Sequence, residues 1–141
     1  MSRLTELYDI YKRQGTPQEN ADIAASGKMY DTQRQQTQNT YDRQIRDTES
    51  SYEDMYNENE VQRLINEHEI AENMANLGLT DSGLNRTQQT AAQLSYANSK
   101  NKIDVNRQKA VDSLTASLAD AISNIDANKL AAAEKIRSLY E

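Results

Sequence analysis

The sequence lacks most of the residues that chemical sites require. Its 141 residues include no Cys, no Trp, no Phe and a single His, His68. Without Cys there is no disulfide scaffold, thiol nucleophile or Cys-ligated zinc site. Without a second His, a helix-borne zinc site cannot be assembled, and we expect no Ser-His-Asp triad around His68. The glycines do not form a phosphate-binding loop. We therefore expect a protein that is not an enzyme and binds no cofactor or metal.

Turn-forming and apolar residues are also scarce. Four Gly and one Pro are too few for an all-β design, which needs turn residues every 8–12 positions or so. Hydrophobic residues make up 36% of the chain, below the usual value of about 45–50%, so a thick globular core is not expected. No apolar run approaches about 18 residues and no signal-peptide pattern is present, so we expect neither membrane insertion nor secretion.

The first predicted break is a Gly-x-Pro segment with the features of one helix ending and another beginning. A glycine just past a helix end can take positive φ, and the threonine after it can cap the next helix. Proline fits the first helical position, and a glutamate three residues after the cap completes a capping box. We predict a short N-terminal helix over 1–15 and a long polar helix over 16–77. The helix-start residues are Gly15, Thr16, Pro17 and Glu19.

The second predicted break, over 78–83, separates helical stretches of nearly equal length. Its first glycine has the position of a helix C-cap, and the threonine, aspartate or serine in its middle can cap the next helix. No Gly or Pro follows it, so a second long helix is predicted over 84–141. The fold expected is all-α: a long, coiled-coil-like antiparallel helical hairpin preceded by the short N-terminal helix. The turn residues are Gly78, Thr80, Asp81, Ser82 and Gly83.

The two predicted arms carry different apolar patterns. Tyr30, Tyr41 and Tyr52 recur every eleven residues of the first arm, a spacing that favours a nearly straight or slightly right-handed supercoiled helix. In the second arm, aliphatic residues follow heptad spacing with one gap at Asn128. Because the far part of this stripe would meet only tyrosines, we expect other copies of the chain or a different protein to complete the packing. The oligomer or partner stripe is Val111, Leu114, Leu118, Ile125, Ile136 and Leu139.

Charge is divided unevenly between the arms. Residues 1–76 carry 8 basic and 15 acidic side chains, whereas residues 77–141 carry 8 and 7. Neither arm has a basic block, so we expect no specific nucleic-acid binding. An acidic surface rich in Gln and Asn still permits passive contact with a DNA path. At the predicted tip, the apolar Leu77 and Leu79 either staple the end of the hairpin or dock into a partner pocket.

Three parts of the sequence together resemble a known group of proteins. They are the Leu- and Tyr-rich start at 4–11, the Tyr-Asp repeats in a Gln-rich helix, and the centre Asn76-Leu77-Gly78-Leu79-Thr80-Asp81-Ser82-Gly83. The layout is similar to small helical proteins from the structural gene modules of tailed phages and prophages of Gram-positive bacteria. This resemblance implies a virion component at the portal, neck or tail, or a protein carried inside the head and ejected. It implies no catalytic residue.

Three hypotheses about function follow. The first is a virion structural protein that assembles in the host cytoplasm and contacts copies of itself and other virion proteins such as the portal or neck. The second is a transient scaffolding or assembly-chaperone coiled coil, since few buried side chains give weak, reversible interfaces. The third is a generic coiled-coil adaptor of a cell. A scaffold is absent from the finished particle, whereas a structural protein is present at fixed stoichiometry.

Overall fold

A computed structural model describes residues 2–140, and the side chains of residues 3–6 and 17–140 within them. Helix α1 comprises Ser2–Asn76 and helix α2 comprises Gly83–Leu139. Over this described part of the chain there is no strand. The two long helices pack against each other, so the predicted all-α class is confirmed.

The chain divides into two compact units, each made of a segment from both helices. The turn unit is Arg43–Leu114, and the terminal unit is Met1–Asp42 together with Thr115–Glu141. Within each unit the two helices run antiparallel, because later residues of α1 contact earlier residues of α2. The side-chain contacts that establish this direction are described for each unit below.

The predicted break between 1–15 and 16–77 is wrong, because α1 is continuous and contains Pro17 in its interior. Proline fixes φ near −65°, a helical value, so it remains in a helix at the cost of one backbone hydrogen bond and a local clash, about 3 kcal/mol. The predicted helix start is therefore absent at this point. The side chain of Thr16, and Gly15 beside it, lie outside the described side chains. Glu19 is half-buried on the helix surface.

Few side chains are enclosed between two helices. Met74, with 3% of its surface exposed, is the only buried hydrophobic residue in the described part of the chain. The other inward positions of α1 are half-buried, and they continue the predicted tyrosine repeat at the same eleven-residue spacing. The repeat thus reads Tyr30, Tyr41, Tyr52, Arg63 and Met74.

Helix α2 follows the same eleven-residue period. Ile103, Leu114, Ile125 and Ile136 are half-buried and lie eleven residues apart. The predicted stripe is half-buried on both sides of its gap, up to Ile136. At the predicted gap the inward position shifts by one residue, and Lys129 occupies it. Both helices consequently share one repeat, which keeps matching positions face to face along each unit.

Candidate interaction surface

The described side chains contain no group of three or more His, Asp or Glu residues that could hold a metal ion. His68 is 80% exposed, and its Nε2 lies 3.8 Å from Oε2 of Glu72. Over the same part of the chain, neither helix has a stretch long and apolar enough to span a bilayer. The turn and the outer surfaces of the helices carry the features that could engage another molecule.

The end of α1 is closed by a Schellman motif at Gly78. The Leu79 N–H donates to the Met74 carbonyl oxygen at 2.7 Å, and the Gly78 N–H donates to the Ala75 carbonyl oxygen at 3.1 Å. Gly78 has φ of +71°, which L side chains rarely adopt because the β-carbon approaches the following carbonyl. The predicted C-cap is thus confirmed. The motif satisfies two carbonyl groups that a helix end otherwise leaves unpaired.

The start of α2 is capped by Ser82. Its Oγ accepts a hydrogen bond from the Asn85 N–H at 3.1 Å and donates one to the Leu79 carbonyl oxygen at 2.6 Å. The Asn85 side-chain amide donates to the Thr80 carbonyl oxygen at 2.7 Å. Of the three predicted cap candidates, Ser82 has the capping geometry, whereas Thr80 contributes a carbonyl group and Asp81 is exposed.

Removing this cap is expected to weaken the turn unit. Ser82→Ala leaves the Asn85 N–H without its acceptor, so the free energy of unfolding should fall by about 1 kcal/mol. Urea titration followed by circular dichroism measures the change. Ser82→Asp, which keeps a capping oxygen, and Ser95→Ala, on an exposed helical position, should leave stability near that of the wild type. A loss with Ser95→Ala as large as with Ser82→Ala would contradict the role of the cap.

The two leucines at the tip have different environments. Leu79 is half-buried, close in sequence to the buried Met74, as expected for the hydrophobic pair that accompanies a Schellman motif. Leu77 is 67% exposed. Leu79 therefore lies where a staple of the hairpin end would lie, whereas Leu77 remains available at the surface.

In the turn unit, Arg63 forms the centre of a polar cluster between the helices. Its guanidinium forms ion pairs with Glu60 and with Glu67, the latter at 3.2 Å. It also lies over the ring of Tyr96 from α2, 5.2 Å from the centroid. The hydrogen bond with Arg63 is the main reason why the pKa of Glu60 is lowered, and a hydrogen bond from Tyr96 adds to this effect. Arg63 thus replaces the tyrosine of the repeat while keeping an aromatic contact.

Three further contacts fix how the helices align in the turn unit. The Tyr56 hydroxyl donates to the Asp104 carboxylate, and Arg107 lies 3.7 Å from Glu49. The Gln89 side-chain amide donates to a backbone carbonyl of α1 at 3.5 Å. Each joins a residue of α1 to a residue of α2 at the same level, so the alignment is specified by polar groups as well as by apolar packing.

The terminal unit has an equivalent pair of contacts. Lys129 Nζ lies 2.8 Å from the Asp31 carboxylate, and the Tyr140 hydroxyl donates to Asp22 at 2.6 Å. The stem of Lys129 crosses Gly27, where a β-carbon would lie 3.4 Å from Lys129 Cε. A glycine in the middle of α1 therefore lies directly under the lysine that bridges the helices.

These tyrosine–carboxylate bonds predict a loss of stability at alkaline pH. The pKa of Tyr56, Tyr96 and Tyr140 is raised above 10.0, chiefly because each phenol donates to a carboxylate of the other helix. A raised folded-state pKa means that the contribution is complete below pH 10 or so and is lost as pH rises through the folded value. The melting temperature should therefore fall above about pH 10. Substituting all three tyrosines by Phe should reduce the fall of the melting temperature above this pH. A melting temperature with the same pH dependence in the triple variant and the wild type would contradict the role of these hydrogen bonds.

The residues predicted from sequence are found in two kinds of place. Tyr30, Tyr41 and Tyr52 are half-buried, as are the members of the aliphatic stripe up to Ile136, whereas Leu139 is 76% exposed. Ile125 lines a shallow groove of the terminal unit together with Tyr41 and polar residues of α1. Most of the stripe thus lies against α1, and its use by a partner stays a prediction.

Sequence reasoning missed the polar residues that join the helices. Those on α2 are separated by eleven residues or a multiple of eleven. The predicted heptad spacing did not show this repeat. Extending the tyrosine spacing to both helices marks these positions but does not show which residues they contact. They are Tyr96, Arg107, Lys129 and Tyr140 on α2, and Arg63 on α1.

Comparison with known proteins adds no relative. No model of a protein family matches the chain, and neither curated proteins nor solved structures give a match.

Proposed function

We propose that the chain is a non-enzymatic structural protein of a tailed-phage virion. It would act as a helical hairpin packed in several copies at the portal, neck or tail region, or be carried in the head and ejected. The sequence layout and the turn 76–83 support the phage context by resemblance. The observation that carries an assembly role is the number of large apolar side chains left exposed.

These side chains are too many for a two-helix protein to cover by itself. Twelve large aliphatic residues are exposed, while one hydrophobic side chain is buried in the described part of the chain. Exposed apolar side chains that lie next to one another, as Val61 and Ile65 do one helical turn apart, are typical of sites that contact other proteins. The exposed residues are Leu4, Met29, Met55, Val61, Leu64, Ile65, Leu77, Leu84, Leu94, Val105, Leu130 and Leu139.

The polar contacts between the helices favour a second candidate, a transient scaffold or assembly chaperone. Arg63, Arg107 and Lys129 occupy inward positions where a permanent assembly would use aliphatic residues. Such polar contacts open more readily than an apolar seam, which suits a protein that is released after assembly. A generic coiled-coil adaptor has no specific observation in its favour.

Quantitative mass spectrometry of purified particles and of their assembly precursors tests the proposal. A structural protein should be present in finished particles at a constant number of copies per portal. Presence in precursors with loss from finished particles would identify a scaffold instead. Absence from both, with recovery in a host complex, would overturn the virion role.

A further inference from the structure

The turn unit carries an acidic outer face on α1. The exposed Arg43 lies at the start of the unit on the side of α1 opposite the inward positions. Further along the same side lie Asp47, Asp54 and Glu58, with the apolar residues Val61 and Ile65. All five are exposed, and none of the three carboxylates is in an ion pair within the described part of the chain. Val61 and Ile65 are 55% and 45% exposed. These five residues are called the acidic face.

Helix α2 carries a basic outer face in the same unit. Leu94 and Val105, 59% and 45% exposed, lie on the side that points away from α1, with Lys102 and Lys109 beside them. Neither lysine is in an ion pair within the described part of the chain. The one carboxylate in this row, Asp112, accepts a hydrogen bond from Gln108 at 2.8 Å. Leu94, Lys102, Val105 and Lys109 are called the basic face.

Contacts inside the turn unit place the two faces at matching levels. Arg63 contacts Tyr96. Because the helices are antiparallel, two residues forward on α1 correspond to two residues back on α2, so Ile65 and Leu94 lie at the same height along the unit. The contact of Tyr56 with Asp104 likewise sets Glu58 level with Lys102. The contact of Glu49 with Arg107 sets Asp47 level with Lys109, within about one helical turn of the level that the other two contacts give. One apolar pair and two opposite-charge pairs are therefore matched along the unit.

We propose that a second copy of the chain docks here, with its tip pointing the same way and its basic face against the acidic face of the first. In this arrangement Leu94 of one copy meets Ile65 of the next, while Lys102 and Lys109 meet Glu58 and Asp47. The two faces differ, so the contact is head-to-tail, and every copy can use both faces at once. A head-to-tail contact generates a ring if the rotation closes. The inference rests on the proposed function only in assigning that ring to a virion.

Two lysine substitutions test this contact in the full chain. Ile65→Lys places a cation opposite the basic face, and Leu94→Lys removes the matching apolar contact and adds a cation. Each variant alone should raise the Kd of self-association at least about tenfold, as expected when an apolar contact of an interface is replaced by a charge. In an equimolar mixture, the intact basic face of Ile65→Lys can bind the intact acidic face of Leu94→Lys, so a one-to-one heterodimer should form. The two substituted faces bind no further copy, so no larger species is expected. Sedimentation velocity measures both results.

Matched controls use the same substitutions outside the proposed contact. Leu130→Lys and Met29→Lys alter side chains that are 60% and 53% exposed in the terminal unit, and both should assemble like the wild type. Assembly of the wild type should also weaken in 1 M salt, because the faces attract by opposite charge. Circular dichroism confirms folding of each variant, and Val61→Lys with Val105→Lys is the replacement pair if either fails to fold.

Three results would overturn the contact. One is a wild-type chain that stays monomeric at millimolar concentration. Another is full assembly of both variants, which would place self-association on a different surface. The third is a Leu94→Lys variant that still dimerises while Ile65→Lys does not, which would indicate a symmetric contact between α1 faces. None of these results bears on whether the chain is found in purified particles, so the two proposals can fail separately.

Discussion

Met74→Ala is expected to lower the free energy of unfolding by about 2–3 kcal/mol. Removing a buried methionine side chain loses its transfer free energy and leaves a cavity, which costs about 2–5 kcal/mol in closed cores. The lower part of that range applies because a site between two helices can partly collapse. Urea titration monitored at 222 nm gives the change. Because Met74 precedes the turn, the loss should be accompanied by faster hydrogen exchange of the amides around 74–85.

Two other methionines provide controls that involve the same substitution. Met29 and Met55 are 53% and 43% exposed, so truncating either to Ala should change stability by less than about 0.5 kcal/mol. Equal losses at Met55 and Met74 would mean that the exposed methionine is covered in solution, which assembly of copies would explain. Repeating the titration at low protein concentration separates these cases.

Gly78→Ala is expected to cost about 1–2 kcal/mol, the second-largest effect. No atom lies within 4 Å of a β-carbon added at this position, so the cost does not come from a clash with a neighbour. It comes from the backbone, because the left-handed φ of +71° is unfavourable for any residue with a β-carbon. The shift in urea midpoint measures it.

The neighbouring glycine should respond with the opposite sign. Gly83 is the first residue of α2, has no positive φ, and has open space around an added β-carbon. Gly83→Ala should therefore be neutral or stabilise the chain by about 0.4–1 kcal/mol, because alanine restricts the unfolded chain more than glycine does. Destabilisation by both substitutions to the same extent would show that the turn tolerates no side chain at all, whatever its backbone conformation.

The turn could be predicted closely from the sequence because its requirements are local. A glycine at the helix end and a serine before the next helix each satisfy specific backbone groups, and few other residues can do so. The observed turn places Gly78 at the C-cap and Ser82 at the N-cap. The same local rules gave a wrong break at Pro17, where residues compatible with a helix start also fit inside a continuous helix. Local signals state which conformations a segment permits, and at Pro17 they permitted both a helix start and a continuous helix.

The contacts between the helices could be predicted only in part. Periodicity identifies which side of a helix faces inward, and Tyr41 and Tyr52 were found in that way. Periodicity does not predict that Arg63 takes the next inward position of the repeat, because arginine is polar and polar residues are normally predicted to be exposed. Its stacking on Tyr96 and its pairing with two glutamates depend on the alignment of the second helix. That alignment follows from contacts between residues far apart in sequence.

The shared eleven-residue repeat also determines how such a protein can change length. Positions eleven apart face the same way, so removing or adding eleven residues shifts a helix by about 16 Å without turning its faces. A change of one or two residues would instead rotate every later side chain away from its partner, with Lys129 no longer over Gly27. Helices of this kind can therefore lengthen or shorten only by multiples of eleven residues, with the same change made in both helices.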